Sequence, residues 1–261
     1  MQLTIQHTLT TAPPTPSSRV LHAAAMFGLG IDRAQTVELI PPTELELGPH
    51  RVLFITGPSG SGKSTLLRRL GEAAVQRGLP VVDLDGLPTP ADRPLVDLLS
   101  AEDAADGLDD VVGVEDFSTP PAGLERALRL LSLAGLGDAF VMLRRPSELS
   151  DGQRARLRLA LAMEAAEAEV SRGELTGEGV ELAALLVADE FGATLDRQTA
   201  VTLAASVRRF ADRCPVTVAV ATTHDDLLEA LSPDVLVYKP LGEGVEVVRA
   251  GGVTADGLES D

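Results

Sequence analysis

Gly57-Pro58-Ser59-Gly60-Ser61-Gly62-Lys63-Ser64-Thr65 has the spacing G-x-x-x-x-G-K-[ST]. Immediately before it, Arg51-Val52-Leu53-Phe54-Ile55-Thr56 is an apolar run that reads as a buried strand. Immediately after it, Leu66, Leu67, Leu70 and Ala74 recur at helical spacing across Ser64–Arg77, and Gly78 and Pro80 stop the helix. Strand, glycine loop and helix in this order form a phosphate cradle. Gly57, Gly60 and Gly62 let the backbone wrap an anion where a Cβ would intrude. The loop N–H groups and the helix N-terminus then face the phosphates. Lys63 adds a point charge toward the β- and γ-phosphates, and the Ser64 hydroxyl suits a Mg²⁺ ligand.

Two further stretches carry chemistry. Leu185-Leu186-Val187-Ala188-Asp189-Glu190 is an apolar strand ending in two carboxylates, which places both at the C-terminal edge of a sheet, where α/β ligand sites lie. Asp189 is a candidate to hold Mg²⁺, directly or through water, and Glu190 to polarise a water attacking the γ-phosphate. The other stretch is Leu149-Ser150-Asp151-Gly152-Gln153. Ser150 and Gln153 form the capping-box pattern S-x-x-Q ahead of a helix over Ser150–Ala168. That pattern describes either a well-capped helix or an N-terminus offering Ser150 Oγ and the Gly152 N–H to an anion.

Composition bounds the reading. The chain has 261 residues, enough for one large α/β domain or a domain with an inserted lobe. It is 44% hydrophobic but 3% aromatic, so Leu, Val and Ala must build the core. A net charge of −17 repels nucleic-acid phosphates and argues against direct DNA or RNA binding. Cys214 is the single cysteine, so no intrachain disulfide can form. No signal peptide and no uncharged apolar stretch of the ~18 residues that span a bilayer are visible, so a soluble, cytoplasmic chain is expected.

Alternating strands and helices in the second half predict a parallel sheet. Leu3–Leu9 and Thr36–Leu47 read as strands, with a short helix within Arg19–Gly28. Leu95–Ser100 and Leu124–Leu133 read as helices, Arg172–Val180 as a loop, Leu182–Ala188 as a strand and Asp196–Asp212 as a helix. The expected organisation is a single domain. It comprises an N-terminal antiparallel β lobe (1–50), a mainly parallel catalytic core (51–85 and 182–248), a helical lobe (86–181) and a frayed tail (249–261).

The order of these stretches resembles that of ABC-type ATPases. Gly57–Thr65 looks like their Walker A loop, Leu149–Gln153 like their LSGGQ signature, and Leu185–Glu190 like Walker B with its catalytic glutamate. Ala193-Thr194-Leu195-Asp196 is similar to the D-loop, and His224 sits where the family's switch histidine follows its strand. The resemblance implies ATP and Mg²⁺ as ligands and a head-to-tail homodimer formed on ATP binding. The P-loop of one copy and Ser150, Asp151, Gly152 and Gln153 of the other would sandwich the nucleotide. His224 would contact the γ-phosphate, and Asp196 would communicate across the interface.

Four departures from the family pattern stand out. Asp151 replaces the usual second glycine of the signature and brings negative charge toward a triphosphate unless Arg154 or Arg156 compensates. No glutamine occurs between Arg77 and Gly152, where the family has one, which leaves Asp85 as a stand-in or as a plain acidic loop residue. Phe191-Gly192 follows Glu190 in place of a frequent proline, so a looser backbone is expected there. Phe27 is the only aromatic before Phe54, and is either the base-stacking residue or an ordinary core phenylalanine. Val20–Gly30 and Arg93–Leu99 resemble a stand-alone soluble subgroup sometimes fused to an acetyltransferase-like domain. The resulting expectation is an ATP-hydrolysing soluble protein acting on an unidentified protein partner. The alternative is the ATP-binding subunit of a transporter whose membrane subunits are encoded separately.

Overall fold

The computed structural model describes residues 1–30, 34–99, 120–176 and 182–249. β1 (Gln2–Thr11) and β2 (Gln35–Glu46) pair antiparallel, from Gln2 opposite Glu46 to Thr11 opposite Gln35. Pro41-Pro42 falls inside β2 beside the register shifts at Ile5–Thr8, where a residue without an N–H interrupts no regular ladder. α1 (Ser18–Met26) comes between the two strands in sequence, and its first turn is capped by Ser17, whose hydroxyl accepts from the Val20 N–H at 3.2 Å.

The remaining described elements wind around a second sheet. In sequence its elements are β3 (Arg51–Thr56), α2 (Lys63–Gln76), β4 (Val81–Asp83), α3 (Leu95–Leu98), α4 (Leu124–Leu133), α5 (Ala139–Met142) and α6 (Asp151–Thr176). β5 (Ala184–Ala188), α7 (Arg197–Arg213), β6 (Val216–Ala221), α8 (Leu228–Leu231), β7 (Val235–Tyr238) and β8 (Glu246–Arg249) follow. Spatially the strands run β4-β5-β6-β3-β7-β8. All neighbours are parallel except β7 and β8.

Both faces of this sheet are covered, which is why its central strands read as unbroken apolar runs. Val52, Phe54, Leu186, Val218 and Val220 point into one core with Leu157, Leu203 and Phe210 from α6 and α7. Leu53, Ile55, Leu185, Ala219 and Ala221 point into the other, built from Leu66 and Leu70 of α2 and from Leu3, Ile5, Ile40 and Leu45 of the hairpin. The hairpin therefore roofs the helix that follows the glycine loop.

α4 is pinned to α6 by Glu167, which accepts from Arg126 Nε at 3.1 Å and Arg129 at 2.7 Å. The loop expected over Arg172–Val180 is corrected in part. α6 continues to Thr176, because the stretch contains no proline and Arg172 pairs back to Glu169 one turn earlier. α3 stops at Leu98, earlier than expected, and Ser100 lies outside the described residues. So do residues 250–261, where the tail was expected.

Candidate functional site

Parallel pairing sends the C-terminal ends of β3, β5 and β6 to one edge. β3 leads into Gly57–Thr65, β5 into Asp189 and Glu190, and β6 into Thr222-Thr223-His224. β6 lies between the other two, so the loop bearing His224 separates the glycine loop from the paired carboxylates.

The glycine loop is built by exclusion. Gly57, Gly60 and Gly62 have φ of +142°, +76° and +101°. A Cβ on Gly57 would stand 2.1 Å from the Lys239 carbonyl oxygen, and one on Gly62 would press Leu39 Cδ2 of β2 at 3.2 Å. Pro58, Ser59, Gly60 and Ser64 are exposed, and Thr65 is half-buried. Gly62 caps α2 with no side-chain acceptor and no acidic residue in the first turn, so the helix N-terminus keeps its donors for an external anion. Ser61 is 1% exposed and its Oγ has no partner within the protein. An orphaned hydroxyl inside a loop of positive-φ glycines fits a phosphate oxygen.

Lys63 is buried, and its ammonium donates to the Gly57 and Pro58 carbonyls, each at 2.8 Å. Desolvation lowers its pKa, opposed by the nearby carboxylates of Asp189, Glu190 and Asp225. Sequence reasoning passed over Asp225. It accepts a hydrogen bond from Thr56 Oγ1 at the end of β3 and so ties the His224 loop to the strand that feeds the glycine loop. The available signal was an acid directly after a strand-end histidine. His224 itself is half-buried and opens a 3₁₀ turn, Asp225–Leu227, with its N–H donating to Thr222 Oγ1 at 3.2 Å.

Glu190 is exposed and adopts φ +45°, a region that costs a side-chain-bearing residue about 1–2 kcal/mol. Its N–H donates to Asp189 Oδ1 at 3.0 Å. The looser backbone expected after it is not found. Phe191 is buried and its N–H donates to the Ala221 carbonyl at 3.0 Å, while Ala193 N–H returns to the Glu190 carbonyl at 3.0 Å. A buried aromatic holds the turn where a proline was missed. Among the described residues no group of three or more His, Cys, Asp or Glu side chains is arranged to hold a metal by itself. A hydroxyl such as that of Ser64 and a carboxylate such as that of Asp189 are donor types that could hold Mg²⁺ together with phosphate and water.

The Ser150–Gln153 turn is a reciprocal cap. Ser150 N–H donates to Gln153 Oε1 at 3.0 Å, and Gln153 N–H to Ser150 Oγ at 3.3 Å. Asp151 is solvent-exposed and paired with Arg154, which also donates to the Leu149 carbonyl at 2.6 Å. A Cβ on Gly152 would sit 3.6 Å from Leu195, so this turn packs beside the segment leading to Asp196. Asp196 caps α7 through the Thr199 N–H at 3.0 Å, and bonds from Thr199 hold its carboxyl below the usual range. The next residue, Arg197, pairs with Asp226 of the His224 loop.

A cleft of about 970 Å³ joins these parts, lined among others by Asp85, Asp151, Arg154, Asp189, Glu190 and Leu195, but by no residue of Gly57–Thr65. One copy thus gathers the glycine loop, both carboxylates and His224 at one edge. It places Ser150, Asp151, Gly152 and Gln153 beside Asp196, bonded among themselves and not to the glycine loop. Asp85 faces the carboxylate side, its pKa raised by desolvation and by Asp83 and Asp189. Phe27 is 75% exposed at the end of α1, which removes the reading of it as a core residue.

Comparison with known proteins agrees with this geometry. A family model described as ABC transporter matches residues 41–168. The taurine import ATP-binding protein TauB of Pseudomonas putida is 34% identical over 130 residues, 46% of this chain and 47% of that protein. The sulfate/thiosulfate import ATP-binding protein CysA of Gloeobacter violaceus is 30% identical over 234 residues, 80% of this chain and 60% of that one. The chain thus spans about half the length of the first of these relatives. A dimeric ATP-binding cassette in a post-hydrolysis state, bound to ADP and Pi, superposes with a TM-score of 0.55 at 16% identity over 96% of this chain and all of that one. No helix among the described residues is long and apolar enough to cross a membrane. In the order of its motifs and in its sequence this chain is similar to ATP-binding proteins of import transporters, and in its sheet topology to ATP-binding cassettes.

Proposed function

We propose that the chain binds and hydrolyses ATP at a site completed by a second copy, and that it serves as the ATP-binding subunit of an import transporter. The observation that supports hydrolysis is the single sheet edge where Lys63, Asp189, the strained Glu190 and His224 converge. Glycine-loop donors, Ser61 Oγ and Lys63 would bind the triphosphate. Ser64 and Asp189 would hold Mg²⁺, which neutralises charge on the phosphates when bound. Glu190 accepts a proton from the attacking water as its oxygen bonds to the γ-phosphorus and the bond to the β-bridging oxygen breaks, releasing ADP and phosphate. His224 steadies the γ-phosphate and that water, and Phe27 offers an exposed ring to the base.

Composite assembly follows from the exposed Ser150 cap, whose hydroxyl and adjacent helix N-terminus would close over the nucleotide of the partner copy. Arg154, paired with Asp151, offsets part of the carboxylate charge that such a closure would bring toward the triphosphate. The import reading rests on the similarity to ATP-binding subunits of importers. A second reading, a soluble ATPase working on a macromolecular partner, is favoured by Asp85 at the cleft in place of a glutamine and by the resemblance of Val20–Gly30 and Arg93–Leu99 to the stand-alone subgroup. Detergent extraction followed by capture of the tagged chain separates them: a stoichiometric integral membrane protein supports import, and its absence supports the soluble reading.

Lys63→Ala tests the ATP site itself. Losing a charge-assisted contact at a buried position is expected to weaken ATP binding by about 3 kcal/mol, roughly a hundredfold. Turnover should disappear with it. Isothermal titration with Mg-ATP measures the first and phosphate release the second. Wild-type affinity in this variant would remove the glycine loop from the site.

A further inference from the structure

Lys239, directly after β7, is fully buried. Its ammonium donates to the Pro240 carbonyl at 3.0 Å and the Gly242 carbonyl at 2.6 Å, and among the described residues no carboxylate pairs with it. A buried cation without a counter-ion is costly, and an apolar side chain of the same length would fill the space more cheaply. The two bonds close a tight turn over residues 239–242, in which Gly242 has φ +82°. The Lys239 backbone, meanwhile, touches the glycine loop. Its N–H donates to the Thr56 carbonyl at 2.9 Å, and its carbonyl oxygen fills the place a Cβ on Gly57 would take. Gly57 in turn offers its carbonyl to Lys63. A continuous path thus runs from the buried ammonium, through one turn and one backbone carbonyl, to the loop that holds the phosphate-facing lysine.

We propose that Lys239 is a positioning residue for nucleotide binding: by tying the turn at Pro240–Gly242 to the end of β7, it fixes the wall on which the first glycine of the P-loop is seated. This rests on the ATP-binding reading of that loop. A lysine serving only as core filling would leave the loop indifferent to its replacement. A lysine that braces the loop controls loop order and affinity more than the chemical step.

Two variants test this. Lys239→Met keeps length and burial but removes the donor. Gly242→Ala keeps the lysine and strains the turn from its other end, since Gly242 has open space but a left-handed backbone. In both, amide hydrogen exchange across 57–65 without nucleotide should accelerate. The dissociation constant for a fluorescent ATP analogue should rise about tenfold, the scale of one or two lost hydrogen bonds, while kcat at saturating ATP stays within about twofold. The melting temperature of Lys239→Met should not fall. Unchanged loop exchange and affinity in Lys239→Met overturn the proposal, and should that variant fail to fold, the same null result in Gly242→Ala does so. A wild type that binds no nucleotide defeats the ATPase reading instead, and loop exchange still decides whether the brace exists.

Discussion

Replacing Glu190 with glutamine is expected to lower ATP turnover by about 10²–10⁴-fold, the range for loss of a general base, while leaving ATP affinity near wild type. The side chain is exposed at the sheet edge, so the amide fits without a cavity. Its backbone geometry, with φ +45° held by the Phe191 and Ala193 hydrogen bonds and by the Asp189 carboxylate, involves no oxygen of the Glu190 side chain and should persist. A companion variant separates chemistry from strain. Glu190→Gly also loses turnover, but it relieves the left-handed conformation and should raise stability by about 1 kcal/mol. Phosphate release and calorimetric melting report the two effects independently. Normal turnover in Glu190→Gln would mean that another group activates the water.

Gly57→Ala is expected to be the most damaging methyl addition among the glycines of the phosphate loop. The added carbon would stand 2.1 Å from a backbone oxygen and 3.0 Å from its carbon, at a φ of +142° that alanine resists. Lys239 cannot retreat, because its N–H is committed to Thr56 and its side chain is buried and bonded on the far side. Either β7 shifts or the glycine loop refolds. A cost of about 3 kcal/mol follows from overpacking, and at roughly 2–4 °C per kcal/mol for a chain of this size the melting temperature should drop by about 10 °C. Nucleotide binding should be lost even below the melting transition. Gly60→Ala provides the contrast: it meets open space and carries only the backbone cost of φ +76°.

The parts legible in the sequence were those whose physics is local. Glycine spacing between an apolar run and a helical stripe located the loop, and two carboxylates ending a second apolar run located the other half of the edge. The Ser150–Gln153 capping pattern forms as a reciprocal pair because both partners sit within one turn. What stayed hidden depends on neighbours distant in sequence. Phe191 holds Glu190 through a carbonyl at the end of β6, a contact invisible without the strand order. Asp225 matters because β3 and β6 are adjacent, so Thr56 comes within reach of a residue 169 positions away. Lys239 looks like a surface lysine in a Pro-Gly turn until β7 is seen packed beside the glycine loop. The glycines of Arg172–Val180 favour a loop, yet α6 continues one turn beyond the Arg172–Glu169 pair.

Light scattering on purified Glu190→Gln, with and without Mg-ATP, tests whether two copies share the nucleotide. With Glu190 as the general base, hydrolysis would no longer reopen such a pair in this variant, so saturating ATP should shift the mass from 27.3 kDa to about twice that value. A solution in which ATP binds fully and the mass stays at that of one chain across the accessible concentrations would contradict a site closed by the Ser150 turn of a second copy.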